Sequence, residues 1–99
     1  QSNTIRKSKC IALNSLGNIN ISLKQYEKAI EIFKQSNALE KSMNSEIGQA
    51  VNLANIGEAY ELSEQIDSAK YYYEQSLAFN NKAHFEQNRR SCVRLEGLL

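Results

Sequence analysis

Residues 11–40 read IALNSLGNINISLKQYEKAIEIFKQSNALE, and residues 51–80 read VNLANIGEAYELSEQIDSAKYYYEQSLAFN. The second stretch repeats the first after an interval of forty residues, and Val93 and Gly97 continue the same register. The positions that are identical in the two stretches are Leu13/Leu53, Gly17/Gly57, Gln25/Gln65, Ala29/Ala69, Gln35/Gln75, Ser36/Ser76 and Ala38/Ala78. A fixed period of roughly 20–50 residues is typical of solenoid proteins, in which each copy is one supersecondary unit.

Each copy has the hydrophobic pattern of two helices. Apolar side chains recur at intervals of three and four residues from Ile5 to Leu23, and again from Tyr26 onward, which is the spacing of one face of an α-helix. No stretch alternates with a period of two, and the chain contains no proline. We therefore predict an all-α chain of about five helices, at residues 4–23, 26–41, 44–62 and 66–80 and from about residue 83 onward.

One glycine stands inside the first helix of each copy, Gly17 in the first and Gly57 at the equivalent position of the second. A glycine in a helix interior costs roughly 1 kcal/mol relative to alanine. Because this cost is repeated at the same place, we predict a packing reason: the second helix of each hairpin touches the first at the glycine. Ala29 and Ala69 are the small residues expected opposite, and the two helix axes would then approach to about 8 Å.

The spacing of these positions resembles the core of the tetratricopeptide repeat (TPR) family, which packs a large–small pair of its first helix against an alanine and an aromatic residue of its second. The matching residues are Leu16-Gly17, Ala29 and Phe33 in the first copy, and Ile56-Gly57, Tyr60, Ala69 and Tyr73 in the second. The resemblance implies a TPR-like α-solenoid of antiparallel helical hairpins, about two and a half repeats long. As a single array over residues 1–99, it would place repeat 1 at about 4–43, repeat 2 at about 44–83 and the first helix of repeat 3 at about 84–99.

Three features depart from the usual family pattern. Asn20 stands where the second copy has the aromatic Tyr60, and serine replaces the late alanine of the second helix at Ser36 and Ser76. The repeat is forty residues long, against about 34 in the commoner form. The long form is similar to arrays in bacterial sensor kinases and transcription regulators, and also to arrays in kinesin light chains and polarity adaptors. The composition of residues 56–77 favours the bacterial type.

Composition and motifs exclude several classes of function for this segment. The net charge is +1, which gives no excess of positive charge for binding nucleic acid. No apolar run approaches the roughly 18 residues that cross a bilayer. The sequence has no Gly-rich phosphate loop, no CxxC pair and a single histidine, His84. We therefore predict a segment with no catalytic activity, cofactor or metal and no contact with membranes, in the cytoplasm or the periplasm, within a longer protein. Cys10 and Cys92 are expected to be buried thiols.

The resemblance implies that the first helices of the hairpins line a concave groove that binds a partner. The residues predicted to contact the partner are Asn14, Asn18, Asn55, Glu58 and Arg94, and the same groove face would include Ile21, Ala54 and Glu61. Asparagine amides both donate to and accept from a peptide backbone, and an arginine can hold a carboxylate through two parallel hydrogen bonds. The alternative is that these are solvated polar residues on an unused surface. Asn14 and Ala54 stand where a clamp for a peptide carboxylate has lysine, so we predict no such clamp.

These expectations define two candidate functions. The first is a non-catalytic protein–protein interaction module that binds a peptide or partner protein through the concave face. The second is a sensor or regulatory segment of a bacterial signal-transduction protein that relays binding or dimerisation. Both ends of the array expose apolar positions, so self-association through the ends is also predicted. Tyr73 is expected in the core, and Tyr71 and Tyr72 on the convex side, either packed against the neighbouring hairpin or available to a partner.

Overall fold

A computed structural model describes residues 3–81 of this chain, and these residues form four helices. They are α1 (Asn3–Ser22), α2 (Tyr26–Ser42), α3 (Glu46–Leu62) and α4, to which residues 66–81 belong. The described part contains no strand, which confirms the predicted all-α class. None of the helices found between residues 3 and 81 is long and apolar enough to cross a membrane. The predicted fifth helix lies outside the described residues.

The three turns between the helices share one geometry. Lys24, Asn44 and Glu64 stand twenty residues apart, and each has a positive φ, between 55° and 66°. In the first turn the backbone N–H of Lys24 donates to the carbonyl of Ile21, and that of Gln25 donates to the carbonyl of Asn20. This pair of bonds is the Schellman motif, which closes a helix with one left-handed residue, usually glycine. The chain uses lysine, asparagine and glutamate instead, so the turns carry no glycine signal in the sequence.

The core lies on both sides of α2, which packs against α1 and α3. Ala29, Ile30 and Phe33 of α2 form a buried cluster with Ile56 and Ala59 of α3. Half-buried side chains that extend this cluster are Ile21, Tyr60 and Tyr72. Because α1 and α3 cover α2 on two sides, the ring of Phe33 is completely buried.

The two helical glycines are contact points, as the sequence predicts, but the residues opposite are different. A methyl group at Gly17 would lie 2.5 Å from Cε1 of Phe33, and one at Gly57 would lie 3.0 Å from Cδ1 of Tyr73. The nearest side-chain atoms thus belong to the aromatic residues one turn beyond Ala29 and Ala69, the residues expected opposite the glycines. Side chains on a helix lean toward its N-terminus, so the aromatic ring one turn beyond Ala29 covers the turn that contains Ala29.

The serines at 36 and 76 add a hydrogen bond at the same place in each hairpin. Ser36 Oγ donates to the carbonyl of Cys10 at 3.4 Å, and Ser76 Oγ donates to the carbonyl of Ala50 at 2.6 Å. Cys10 and Ala50 are themselves equivalent positions, forty residues apart. The departure from the family's alanine thus has a structural role, because each hydroxyl ties the second helix of a hairpin to the backbone of the first.

Leu16 and Tyr73, which the family resemblance places in the core, are exposed. Leu16 is exposed, although its counterpart Ile56 is buried, because α2 covers that face of α3 and no described helix covers the same face of α1. Tyr73 is also partly exposed, and its hydroxyl donates to Oε1 of Glu61 at 2.8 Å. Position in the array, rather than residue type, therefore decides burial at these sites.

Replacing the two glycines by alanine should give different results. Gly17→Ala should lower the free energy of unfolding by about 1–3 kcal/mol, because the new methyl group meets a fully buried ring that cannot move away. Gly57→Ala should leave it nearly unchanged, because partly exposed Tyr73 can shift and alanine gains roughly 1 kcal/mol of helix propensity. Urea denaturation followed by circular dichroism measures both. A Gly17→Ala protein as stable as the parent would show that Phe33 does not set the distance between α1 and α2.

Candidate functional site

A cleft of about 400 Å³ lies between the first halves of α1 and α3, beside the C-terminal end of α2. Three exposed aliphatic side chains line it, Ile11 from α1 and Ile47 and Val51 from α3. Ile11 and Val51 occupy equivalent positions in the two copies. The cleft therefore runs along the first helices of two successive hairpins, which is the face where the family resemblance places a binding groove.

One end of the cleft holds a buried carboxylate. Glu40 is buried, and Lys7 Nζ donates to its two carboxylate oxygens at 3.1 and 3.3 Å, while the Lys7 side chain as a whole is 54% exposed. Burial alone would raise the pKa of Glu40, but the neighbouring hydroxyl of Ser45, the thiol of Cys10 and the ammonium group of Lys7 outweigh it, so the pKa lies below its ordinary value. Glu40 is therefore ionised at neutral pH, and its charge is already matched by Lys7.

A third glycine makes room for this carboxylate. A methyl group at Gly48 would collide with the carboxylate of Glu40. Gly48 is in the first turn of α3, where its backbone N–H donates to Oγ of the N-cap residue Ser45 at 3.2 Å. Because Glu40 is in contact with Lys7 of α1 and with the start of α3, this side chain joins three helices at one point.

The thiol of Cys10 is a structural group. It is buried, as the sequence predicts, and Sγ donates to the carbonyl of Ser36 at 3.7 Å. Burial and the neighbouring charge of Glu40 raise its pKa, so the thiol stays protonated at neutral pH and is a weak nucleophile. Residues 3–81 contain no group of histidine, cysteine and acidic side chains that could hold a metal ion. Cys92 lies outside the described residues.

The residues predicted to bind a partner are spread along the groove face. Asn14 lines the cleft, and its Oδ1 is buried without a hydrogen-bond partner. Asn18, one turn further along α1, is exposed, as is Glu58 on α3, whereas Asn55 is half-buried. Arg94 lies outside the described residues. Of the four predicted partner-binding residues that the structure describes, Asn14 is the one that lines the cleft.

Sequence reasoning missed the aliphatic lining of the cleft. The apolar character of Ile47 predicts a core position on α3, but the structure exposes it, along with Ile11 and Val51. The signal that could have identified these residues is their position. Ile47 and Val51 lie one turn apart on a side of α3 away from the buried stripe that contains Leu53 and Ile56.

Other predicted groove residues have structural partners. Ile21 is half-buried against the core cluster. Glu61 accepts the hydroxyl of Tyr73, and burial together with this carboxylate raises the pKa of Tyr73 to about 12. Ile66, Tyr73 and Leu77 line a second cleft of about 390 Å³ next to Glu61, on the outer side of α4.

The tyrosines on α4 separate into packed and exposed side chains. Tyr72 stacks on Tyr60 with ring centroids 5.4 Å apart, and Lys34 Nζ of the preceding hairpin lies 5.9 Å from the centre of its ring. Packing against the neighbouring hairpin, one of the two predicted alternatives, therefore holds for Tyr72. The ring of Tyr71 lies edge-on to that of Tyr72, with ring centroids 5.1 Å apart, but Tyr71 is mostly exposed.

Comparison with protein families agrees with this architecture. A family model described as tetratricopeptide repeat matches residues 8–82. The chain belongs to the TPR family. TPR domains generally mediate protein–protein interactions and typically have no catalytic role, so this is the general class of function. No curated protein and no solved structure has significant similarity to this chain.

The buried carboxylate should contribute stability that depends on pH. Glu40→Gln should lower the free energy of unfolding by about 1–3 kcal/mol at neutral pH, because it removes the charged partner of Lys7 and leaves polar atoms poorly paired. Because the folded-state pKa of Glu40 is lowered, its contribution is present above the ordinary glutamate pKa and is lost as the pH falls below it. The parent and the variant should therefore become equally stable in acid.

The matched control is Glu31→Gln, the same substitution at an exposed position of α2. We expect it to change stability by less than about 0.5 kcal/mol at either pH. Urea denaturation at neutral and acid pH compares the three proteins. If Glu40→Gln and Glu31→Gln had equal effects, the carboxylate would have no special role in joining the helices.

Proposed function

We propose that this chain is a non-catalytic interaction module that binds a peptide segment of a partner protein in the cleft between α1 and α3. The observation that carries the proposal is the group of three exposed aliphatic side chains, Ile11, Ile47 and Val51, around one concavity. Single exposed aliphatic residues are ordinary, but a concave apolar surface with a few polar groups is typical of a binding site.

The charges around the cleft favour an apolar ligand over an acidic one. Lys7 is the cation at the cleft, and Glu40 already neutralises it. A peptide carboxylate would have to compete with Glu40 for Lys7, whereas an aliphatic side chain can contact Ile11, Ile47 and Val51 directly. We therefore expect the bound peptide to insert an aliphatic side chain, which buries apolar surface on both partners.

The amide of Asn14 supplies the polar contact in this proposal. A buried acceptor without a partner costs roughly 1–3 kcal/mol, and Oδ1 of Asn14 is in that state. Rotation of the side chain would turn this oxygen toward a peptide N–H and recover the hydrogen bond. Asn18, Asn55 and Glu58 would extend the contact along the groove, and Arg94 would add a contact at its far end.

A second candidate function is a regulatory segment of a bacterial signal-transduction protein, such as a sensor kinase or a transcription regulator. In this role the array would relay partner binding or dimerisation to other parts of the protein. The observation that favours it is the exposed apolar face of α1, which supplies a surface for dimerisation in addition to the cleft. Sedimentation of the chain with and without bound peptide separates the two candidates, because only the regulatory role predicts that binding changes dimerisation.

Changing the aliphatic lining should weaken peptide binding. A phage-displayed library of random peptides is panned on the full chain, and the enriched peptide is synthesised with a fluorescent label. Val51→Lys should raise its Kd by about tenfold or more, because it replaces an apolar contact with a charge. Leu62→Lys is the control, since Leu62 is on the same helix and is 47% exposed, against 48% for Val51. Fluorescence polarisation measures both constants.

The polar contacts are tested with the same labelled peptide. The double variant Asn18→Ala and Asn55→Ala should weaken binding without loss of helicity, and unchanged binding would restrict the site to Asn14 and the aliphatic residues. If every groove variant bound the peptide as the parent does, the proposed cleft would not be the binding site.

A further inference from the structure

Every buried side-chain nitrogen or oxygen atom that lacks a hydrogen-bond partner, among the residues that the structure describes, belongs to an asparagine. These atoms are Oδ1 of Asn14, Oδ1 of Asn37 and both amide atoms of Asn52. Asn14 lines the cleft and can meet a ligand there, whereas Asn52 is 0% exposed. Because a buried amide is costly unless it is hydrogen-bonded, Asn52 needs a partner inside the protein.

Asn37 and Asn52 stand at the same level of the joint between α2 and α3. Two facing stripes with helical spacing form this part of the joint, namely Phe33, Asn37 and Glu40 on α2 and Gly48, Asn52 and Ile56 on α3. At one end of the stripes the carboxylate of Glu40 meets Gly48. At the other end Phe33 and Ile56 belong to the same core cluster. Since the short turn between the packed helices makes them antiparallel, the middle positions of the two stripes face each other.

The repeat indicates that the two amides belong together. Forty residues away, Leu77 of α4 is the counterpart of Asn37, and Ala12 of α1 is the counterpart of Asn52. The chain therefore has an amide at both positions where α2 packs on α3, and an apolar residue at both equivalent positions outside this joint. An asparagine offers a donor and an acceptor, so two facing asparagines can satisfy each other.

We propose that Nδ2 of Asn52 donates a hydrogen bond to Oδ1 of Asn37, and that this amide pair fixes the position of α3 on α2. Both atoms are buried and unpaired, and a rotation of the two amide groups makes the bond. A hydrogen bond has a narrow range of lengths and angles, which an apolar contact does not. The pair thus does for the joint between the hairpins what Ser36 and Ser76 do inside them.

The amide pair lies next to the cleft between α1 and α3. Glu40 and Gly48, one turn away from the two asparagines, line the cleft, and so does Val51, which precedes Asn52 in the sequence. Because α1 and α3 both connect to the core through α2, the position of α3 on α2 sets the width of the cleft. Asn37 and Asn52 are therefore positioning residues for a bound peptide; this last step rests on the proposed function, whereas the pairing does not.

A double-mutant cycle in urea tests the pairing. Asn37→Leu and Asn52→Leu should each raise the equilibrium constant for unfolding by about tenfold, because each leaves one buried amide without a partner. The double variant should return to within about threefold of the parent, since no amide is left unpaired. Leucine is larger than asparagine, so crowding alone would make the double variant the least stable of the three.

The control cycle combines Asn52→Leu with Gln35→Leu, an exposed amide on another side of α2, and its effects should add. Effects that also add for Asn37 and Asn52, or a double variant less stable than both single ones, would show that the two amides are not paired.

Pulsed electron paramagnetic resonance tests whether the pair sets the width of the cleft. Spin labels are attached at Ser15→Cys on α1 and Glu58→Cys on α3, both exposed positions. Cys10 is buried, and Cys92→Ser removes the other thiol. The parent should give a narrow distribution of distances between the labels, and the Asn37→Leu, Asn52→Leu double variant a broader one. An unchanged distribution would contradict the positioning role.

The labelled peptide then connects the pair to binding. Without spin labels, the double variant should bind the peptide about fivefold more weakly than the parent, although it contacts the peptide through the same residues. Equal affinity together with a broader distance distribution would mean that the width of the cleft does not matter for binding, and would overturn this step. If instead Val51→Lys left the affinity unchanged, the proposed binding site would be wrong, while the cycle and the distances would still decide the amide pair.

Discussion

The contact between the ring of Phe33 and the backbone at Gly17 sets the spacing on which the rest of this structure depends. A ring cannot lie on a helix that has a side chain at the point of contact, so the absence of a side chain at Gly17 lets α2 approach α1 closely. With α2 held there, its opposite side is free to bury Ile56 and Ala59 of α3. The same contact recurs between Gly57 and Tyr73, so the array is built from one packing rule applied twice.

The serines of the two hairpins, Ser36 and Ser76, fix the register of this packing along the helix axis. A ring on a glycine fixes a distance but tolerates sliding along the helix axis. The hydrogen bonds from Ser36 to the carbonyl of Cys10 and from Ser76 to that of Ala50 fix the register, because each hydroxyl reaches a single carbonyl. A hydroxyl buried beside apolar residues is costly without a partner, which makes slipped alignments unfavourable.

Much of the fold was predictable because the helical periodicity within each copy and the forty-residue repeat indicate the same helices. Periodicity placed the helices, and the repeated glycines located the contact between the helices of each hairpin. The exposure of Leu16 and Ile47 was not predictable from their apolar character, since burial depends on whether a neighbouring helix covers the position. The Schellman turns were missed because lysine, asparagine and glutamate occupy left-handed positions where glycine is the usual signal. The pairing of Lys7 with Glu40 was missed because it joins residues 33 positions apart and occurs once.

Repetition also separates the residues that build the fold from those that give the cleft its chemistry. None of the positions that are identical in the two copies lines the cleft between α1 and α3. Lys7 corresponds to Ile47, Asn14 to Ala54 and Glu40 to Asn80, so each of these positions changes its charge or polarity from one copy to the next. A surface made only of repeated residues would present the same chemistry at every hairpin and could not bind one sequence in one register. Under the proposed function, the differences at Lys7, Asn14 and Glu40 would let a peptide distinguish this cleft from the equivalent position one repeat along.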